Sequence, residues 1–270
     1  MSIIVAVAAS RSAPVAGSSP IVELRQYTLR LGRRDALIEL FDSRLVESQE
    51  ATGMTIIGQF RDLDRPDRFV WLRGFQDMVE RARSLAAFYG GPVWRVSSAA
   101  ANATMIDSED VLLLRPARPH SAFQLDGSTR QEGADRNGDG VVEATILYLD
   151  GSAATSRAVD LFEEAIAPAV AEVGGRMLAY FVSESSENTF AALPVREGED
   201  VLVWCVGYAD RQRLERASMR GGDLAHAAAG ALGTVRSPDV LRLAPTPRSR
   251  LDGRSRGLAA TDTDTRKELR

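Results

Sequence analysis

Lysine, cysteine and histidine are nearly missing from this chain, and each scarcity removes a class of chemistry. Lys267 is the single lysine in 270 residues and lies in a polar C-terminal stretch, so no lysine Schiff base is available in a folded core. Cys205 is the one cysteine, which excludes a disulfide framework and a thiolate metal cluster. His120 sits in a proline-rich stretch and His226 in an alanine-rich helix, so the two form no metal constellation; haem ligation by His226 is the one exception to keep in view. There is no Walker loop, dinucleotide fingerprint, His-Glu-x-x-His or serine elbow. The expectation is a protein without metal or cofactor.

Long apolar runs are missing too. Residues 3–9 form a seven-residue apolar run that is too short to span a bilayer, and no basic residue precedes it as a secretory signal requires. A net charge of -4 and an isoelectric point near 5.4 argue against nucleic-acid binding, which needs a concentrated basic face. These features predict a cytoplasmic protein with no membrane or nucleic-acid partner.

What is present is a repeat. Phe69-Val70-Trp71-Leu72-Arg73-Gly74-Phe75 returns as Leu202-Val203-Trp204-Cys205-Val206-Gly207-Tyr208, and Asp110–Pro116 matches Asp239–Pro245. Repetition at this spacing marks a tandem duplication. Around each copy, strand and helix periodicities read strand, helix, strand, strand, helix, strand. Leu37, Leu40, Phe41 and Leu45 give the buried stripe of the first helix, and Val159, Phe162, Ile166 and Val170 that of its counterpart, with Pro168 expected to kink it. Met78, Val79, Ala82, Leu85 and Ala86 are assigned to one face of the second helix, which is expected to break at Gly90-Gly91-Pro92.

A βαββαβ unit is the ferredoxin-like arrangement. The predicted class is α+β: two tandem ferredoxin-like units packed as a pseudo-dimeric α+β barrel, as a monomer or a homodimer. The predicted organisation is a disordered leader over 1–20, a first unit over 21–118, a linker over 119–141, a second unit over 142–245 and a disordered tail over 246–270. Within the linker, Asp135–Gly140 copies the first half of a calcium loop, but its twelfth position is Ile146, so it reads as a polar turn.

Four segments, Glu23–Leu29, Gly58–Leu63, Phe69–Phe75 and Phe88–Trp94, together resemble the NIPSNAP family, strongly over residues 21 to 116. The resemblance implies the dimeric α+β barrel superfamily and a small-molecule pocket. That superfamily includes cofactor-free monooxygenases, haem-degrading enzymes, isomerases and polyketide cyclases.

Strand parity supplies a separate site list. Val70 and Leu72 share one face, read as the helix side, which leaves Phe69, Trp71, Arg73 and Phe75 facing the barrel interior, with Glu23, Arg25 and Tyr27 grouped on the first strand. Two arginines on one inner wall need either an internal ion pair, with Glu23 or Asp62, or an anionic ligand. Arg25, Arg73, Tyr27 and Glu23 are the catalytic candidates: the arginines for anionic oxygen, the other two for protons. Gln59, Arg61, Phe69, Trp71, Phe75, Tyr89 and Trp94 are the substrate-binding candidates. In the second unit Arg25 becomes Thr145, Tyr27 becomes Leu147 and Arg73 becomes Val206, while Trp71 persists as Trp204. The polar pocket is therefore expected in the first unit, with the second as lid and packing partner. The expected activity is that of a cofactor-independent enzyme acting on an anionic or aromatic small molecule; a non-catalytic metabolite- or haem-binding stress protein is the other reading. Cys205, opposite in parity to Trp204, reads as a small core residue.

Overall fold

The computed structural model of the protein describes residues 19–125, 139–221 and 223–258. The calcium-loop-like turn falls mostly outside the described residues, as does the leader before residue 19. In the first unit β1 (Ile21–Leu29) is followed by α1 (Arg34–Leu40), a π turn (Phe41–Leu45) and α2 (Val46–Glu50). Then come β2 (Thr55–Asp62), β3 (Arg68–Phe75), α3 (Met78–Tyr89), α4 (Pro92–Asn102) and β4 (Met105–Pro116). The second unit repeats the order: β5 (Val141–Leu149), α5 (Gly151–Leu161), a π turn (Phe162–Ile166), α6 (Ala167–Glu172), β6 (Arg176–Ser183), β7 (Asp200–Tyr208), α7 (Arg211–Gly221), α8 (Leu224–Leu232) and β8 (Asp239–Pro245).

The strands close into one eight-stranded barrel, ordered β1-β3-β2-β8-β5-β7-β6-β4, and every pairing is antiparallel. Each unit contributes four adjacent strands, and the seams β2–β8 and β4–β6 join them. Closure removes the free sheet edges that a single ferredoxin-like unit exposes. The duplication extends to irregularities. Bulges interrupt β2 between Ile56 and Gly58 and β6 between Met177 and Ala179. The π turns begin at Phe41 and Phe162, whose rings lie 4.9 Å from Trp71 and 5.2 Å from Trp204 respectively. Pro168 falls just after the second π turn, where its missing N–H removes a helical bond.

The parity grouping holds, but the side assigned to each face is reversed. Val22, Leu24, Val70 and Leu72 fill the barrel interior together with Ala144, Ile146, Val203, Cys205 and Leu243, as a largely aliphatic core. Phe69, Trp71, Phe75 and Tyr27 instead pack beneath the helices with Leu37, Phe41 and Leu85. An eight-stranded barrel has room for a few layers of compact side chains and offers buried polar groups no partners, so aliphatics fill it. The arginines lie on the other face, where helices supply polar groups.

Three further expectations change. Gly90-Gly91-Pro92 ends α3 but also starts α4, because Pro92 occupies the first helical turn, where a missing N–H costs nothing. The buried stripe of α3 runs Arg81, Ser84, Leu85 and Phe88, while Val79 is 74% exposed. The tail from Thr246 is placed as far as Leu258: Thr246 and Leu251 donate backbone bonds to Gln59 and Ile57, and Leu251 enters the barrel core. Gly253 makes this path possible, since a Cβ there would lie 1.9 Å from the Tyr208 carbonyl oxygen.

Candidate functional site

Glu23 is the centre of a buried charge cluster between the first unit's sheet and its helices. Register places it opposite Arg73, so the two side chains meet on one face. Glu23 Oε2 accepts from Arg73 Nε at 2.7 Å and from Arg25 Nη1 at 2.7 Å, and Oε1 accepts from Arg81 Nε of α3 at 2.7 Å. None of the four residues is more than 1% exposed. The internal ion pair with Glu23 is thus present; Asp62 instead caps the β2–β3 turn by accepting from the backbone N–H of Asp64 and Arg65. Burial by itself would raise the Glu23 carboxyl, but Arg73, Arg25 and Arg81 outweigh it and hold the group well below the carboxylate range. Glu23 is consequently a counter-ion and a poor base at neutral pH, which revises its expected proton-transfer role. The Tyr27 hydroxyl accepts from Arg25 Nε at 3.1 Å, and burial raises its pKa against the opposing pull of Arg25, so it keeps its proton.

Three positive charges against one negative leave two positive charges in excess. Gln49 of α2 accepts from Arg73 Nη1 at 3.2 Å, and Trp71 lies beneath Arg73 and Arg25 at 5.0 and 5.6 Å, which disperses part of that charge. Arg73 Nη2, Arg81 Nη2 and Trp71 Nε1 are nevertheless buried without hydrogen-bond partners. Orphaned buried donors of this kind are costly and call for an acceptor.

A strap from the second unit closes over the cluster. The connection between β6 and β7 spans residues 184–199, tied at its ends by backbone bonds from Glu184 to Leu113 and from Arg196 to Val111. Asn188 Oδ1 accepts from Arg81 Nη1 at 3.0 Å, and Phe190 stacks on Tyr89 at 6.0 Å. Tyr89 and Trp94 form one aromatic group with Phe88 beneath the strap. Gln59 is buried beside this face and reaches Asp42 at 3.4 Å. Arg61 is not part of the cluster: it pairs with Asp35 at 2.8 Å on a partly exposed edge. Arg81, Gln49 and Asn188 escape the strand-parity argument because they reach the cluster from two helices and a long loop. For Arg81 the signal was its place on the Arg81–Ser84–Leu85–Phe88 stripe.

In the second unit the equivalent space is open. Glu143 corresponds to Glu23, but Thr145 and Val206 stand where Arg25 and Arg73 stand, and a cleft of about 510 Å³ lies over Glu143, Trp204 and Tyr208. Burial raises the Glu143 carboxyl, opposed by Arg242 at 3.6 Å. Both histidines lie at the surface: His226 pairs with Asp223 at 2.6 Å on the cleft rim, and His120 meets the Tyr180 hydroxyl at 3.1 Å. Among the described residues no group of His, Cys, Asp and Glu could hold a metal, and no helix is long and apolar enough to cross a membrane.

The fold is that of an α+β barrel built from two ferredoxin-like halves in a single chain, with a polar cluster beneath the helices of one half. Residues 22–119, which span the first unit, match the NIPSNAP family. A proposed monooxygenase from Lactobacillus acidophilus NCFM is similar in fold, at 14% identity and a TM-score of 0.52, covering 89% of this chain and 100% of its own. A proposed monooxygenase from Fusobacterium nucleatum shares 8% identity with a TM-score of 0.53, over 90% and 97% of the two chains. An anthrone oxidase-like protein shares 12% identity with a TM-score of 0.53, over 84% and 91%. No curated protein matches the chain.

Proposed function

We propose that the first unit binds an anionic small molecule, a carboxylate or enolate on an apolar or aromatic body, and acts on it without a tightly bound cofactor, in the manner of a monooxygenase, isomerase or cyclase. The observation that carries this reading is the uncompensated charge: three buried guanidiniums share one carboxylate, and Arg73 Nη2, Arg81 Nη2 and Trp71 Nε1 lack acceptors. An oxyanion held there gains charge-assisted bonds in a dry site, which is where such bonds stabilise developing negative charge most. Tyr27 is the proton donor in this scheme, and Phe69, Phe75, Tyr89 and Trp94 are the apolar surroundings. The strap over 184–199 is the entry, since opening it exposes Arg81. The similarity in fold to proposed monooxygenases and to an anthrone oxidase-like protein supports the reaction class.

The test is a thermal-shift comparison of benzoate with neutral benzamide, followed by oxygen-consumption and product assays on aromatic carboxylates and phenolates. Benzoate is expected to stabilise the wild type, benzamide is not, and Arg81→Gln is expected to remove the difference. Equal response to both compounds refutes anion binding. Binding without turnover on any substrate leaves the non-catalytic carrier.

A further inference from the structure

The second unit carries a cleft of its own, distinct from the arginine cluster. Its origin lies in what the duplication lost. Glu143 faces Val206 across the β5–β7 ladder and Arg242 across the β5–β8 ladder, in the register that sets Glu23 against Arg73. With valine and threonine replacing two arginines, smaller side chains occupy the space between sheet and helices, and a cleft of about 510 Å³ remains beside them. That volume suits a small ligand. Trp204, 2% exposed, and Tyr208, 4% exposed, form its aromatic floor, and Val170 and Val240 line it further.

Charge decides the ligand class. The groups facing the cleft are Glu143, Asp223, Arg242 and His226, with Asp64 holding Arg242 from outside at 3.2 Å. Arg242 is shared between Asp64 and Glu143, so the acids outnumber the fixed cation, the reverse of the first unit. An anion is disfavoured here, whereas a hydrogen-bond donor on an apolar body would satisfy Glu143 and pack against the apolar lining of Val170, Val173 and Val240. We infer that this cleft is a second binding site, selective for a neutral, planar, apolar molecule bearing a hydroxyl that donates to Glu143.

Isothermal titration of the full chain with 1-naphthol and with 1-naphthoate tests this. The wild type is expected to bind 1-naphthol, with 1-naphthoate failing to compete. Glu143→Leu, which removes the acceptor, and Ser218→Trp, which fills the cleft from its exposed rim, are each expected to weaken 1-naphthol at least tenfold while melting cooperatively. Absence of 1-naphthol binding overturns the inference, as does competition by 1-naphthoate. Unchanged affinity in Ser218→Trp overturns the location, and unchanged affinity in Glu143→Leu overturns the role of the carboxylate. The two variants lie on different elements, so one that fails to fold leaves the other to decide.

Discussion

Glu23→Gln and Glu143→Gln make the same chemical change at equivalent positions, and the structure demands opposite results. Glutamine keeps the shape of Glu23 but leaves Arg25, Arg73 and Arg81 buried around a neutral amide. Removing one partner of a buried ion pair costs about 3–5 kcal/mol, because the remaining charge is neither solvated nor paired. For a chain of this size each kcal/mol moves the melting temperature by about 2–4 °C, so Glu23→Gln is expected to melt roughly 6–20 °C below the wild type. Glu143 is the converse case. Its carboxyl is raised by burial, so its ionised form at neutral pH opposes folding, and neutralising it is expected to raise the melting temperature. Circular dichroism melts and urea titrations of both variants, at pH 7 and low salt, measure the pair. Glu23→Gln melting within about 2 °C of the wild type, or both variants shifting together, would refute the assignment of Glu23 as the obligatory counter-ion.

Other consequences follow from individual contacts. Glu23 has a depressed folded-state pKa, so its contribution is complete above its unfolded value near 4.3 and is lost progressively as pH falls from there down through its much lower folded-state value; acid unfolding in urea is expected to be steeper in the wild type than in Glu23→Gln. Cys205 is buried and its thiol is pushed up to about 12, so a thiol reagent such as dithionitrobenzoate is expected to label it only after unfolding, and fast labelling of native protein would contradict the placement of β7. Leu251→Ala removes a barrel-core side chain contributed by the tail and is expected to cost about 2–5 kcal/mol by urea titration; a neutral result would mean the tail does not enter the core. Asn188→Ala combined with Phe190→Ala breaks the strap's contacts with Arg81 and Tyr89, and limited proteolysis is expected to cut within 184–199 faster than in the wild type.

Much of the architecture was legible because duplication writes the same strand twice. The Trp71 and Trp204 strands located β3 and β7, and the alternation along β1 and β3 grouped Glu23, Arg25 and Arg73 correctly. Alternation does not say which face is which, however, when both faces are buried. Val70 and Leu72 look equally suited to a helix interface and to a barrel core; the size limit of a closed eight-stranded interior decides, and closure is a property of all eight strands together. The cluster was half legible for a related reason. Glu23, Arg25 and Arg73 lie in one ladder, whereas Arg81 and Asn188 meet them across 58 and 107 positions of chain or more. The tail escapes pattern reading because it has no periodicity: isolated contacts of Thr246, Ser249, Leu251 and Leu258 anchor it, and a glycine, Gly253, lets it pass.

Fusion of two halves into one chain explains why their polar faces could part. In a symmetric dimer every substitution appears twice, so a buried excess of two positive charges would be duplicated across one small barrel. In a tandem chain one half can keep the arginines while the other exchanges them for threonine and valine, and each half is then tuned separately. The second half also supplies the strap that closes the first, through Asn188 and Phe190, so its divergence is tied to the first site. The halves are therefore specialised by charge: one encloses uncompensated cations beneath a strap, and the other leaves a carboxylate at the base of an open aromatic cleft. Stability and binding trade against each other at both glutamates in opposite senses. Glu23 holds its half together, whereas Glu143 weakens its half, as expected of a group retained for a ligand.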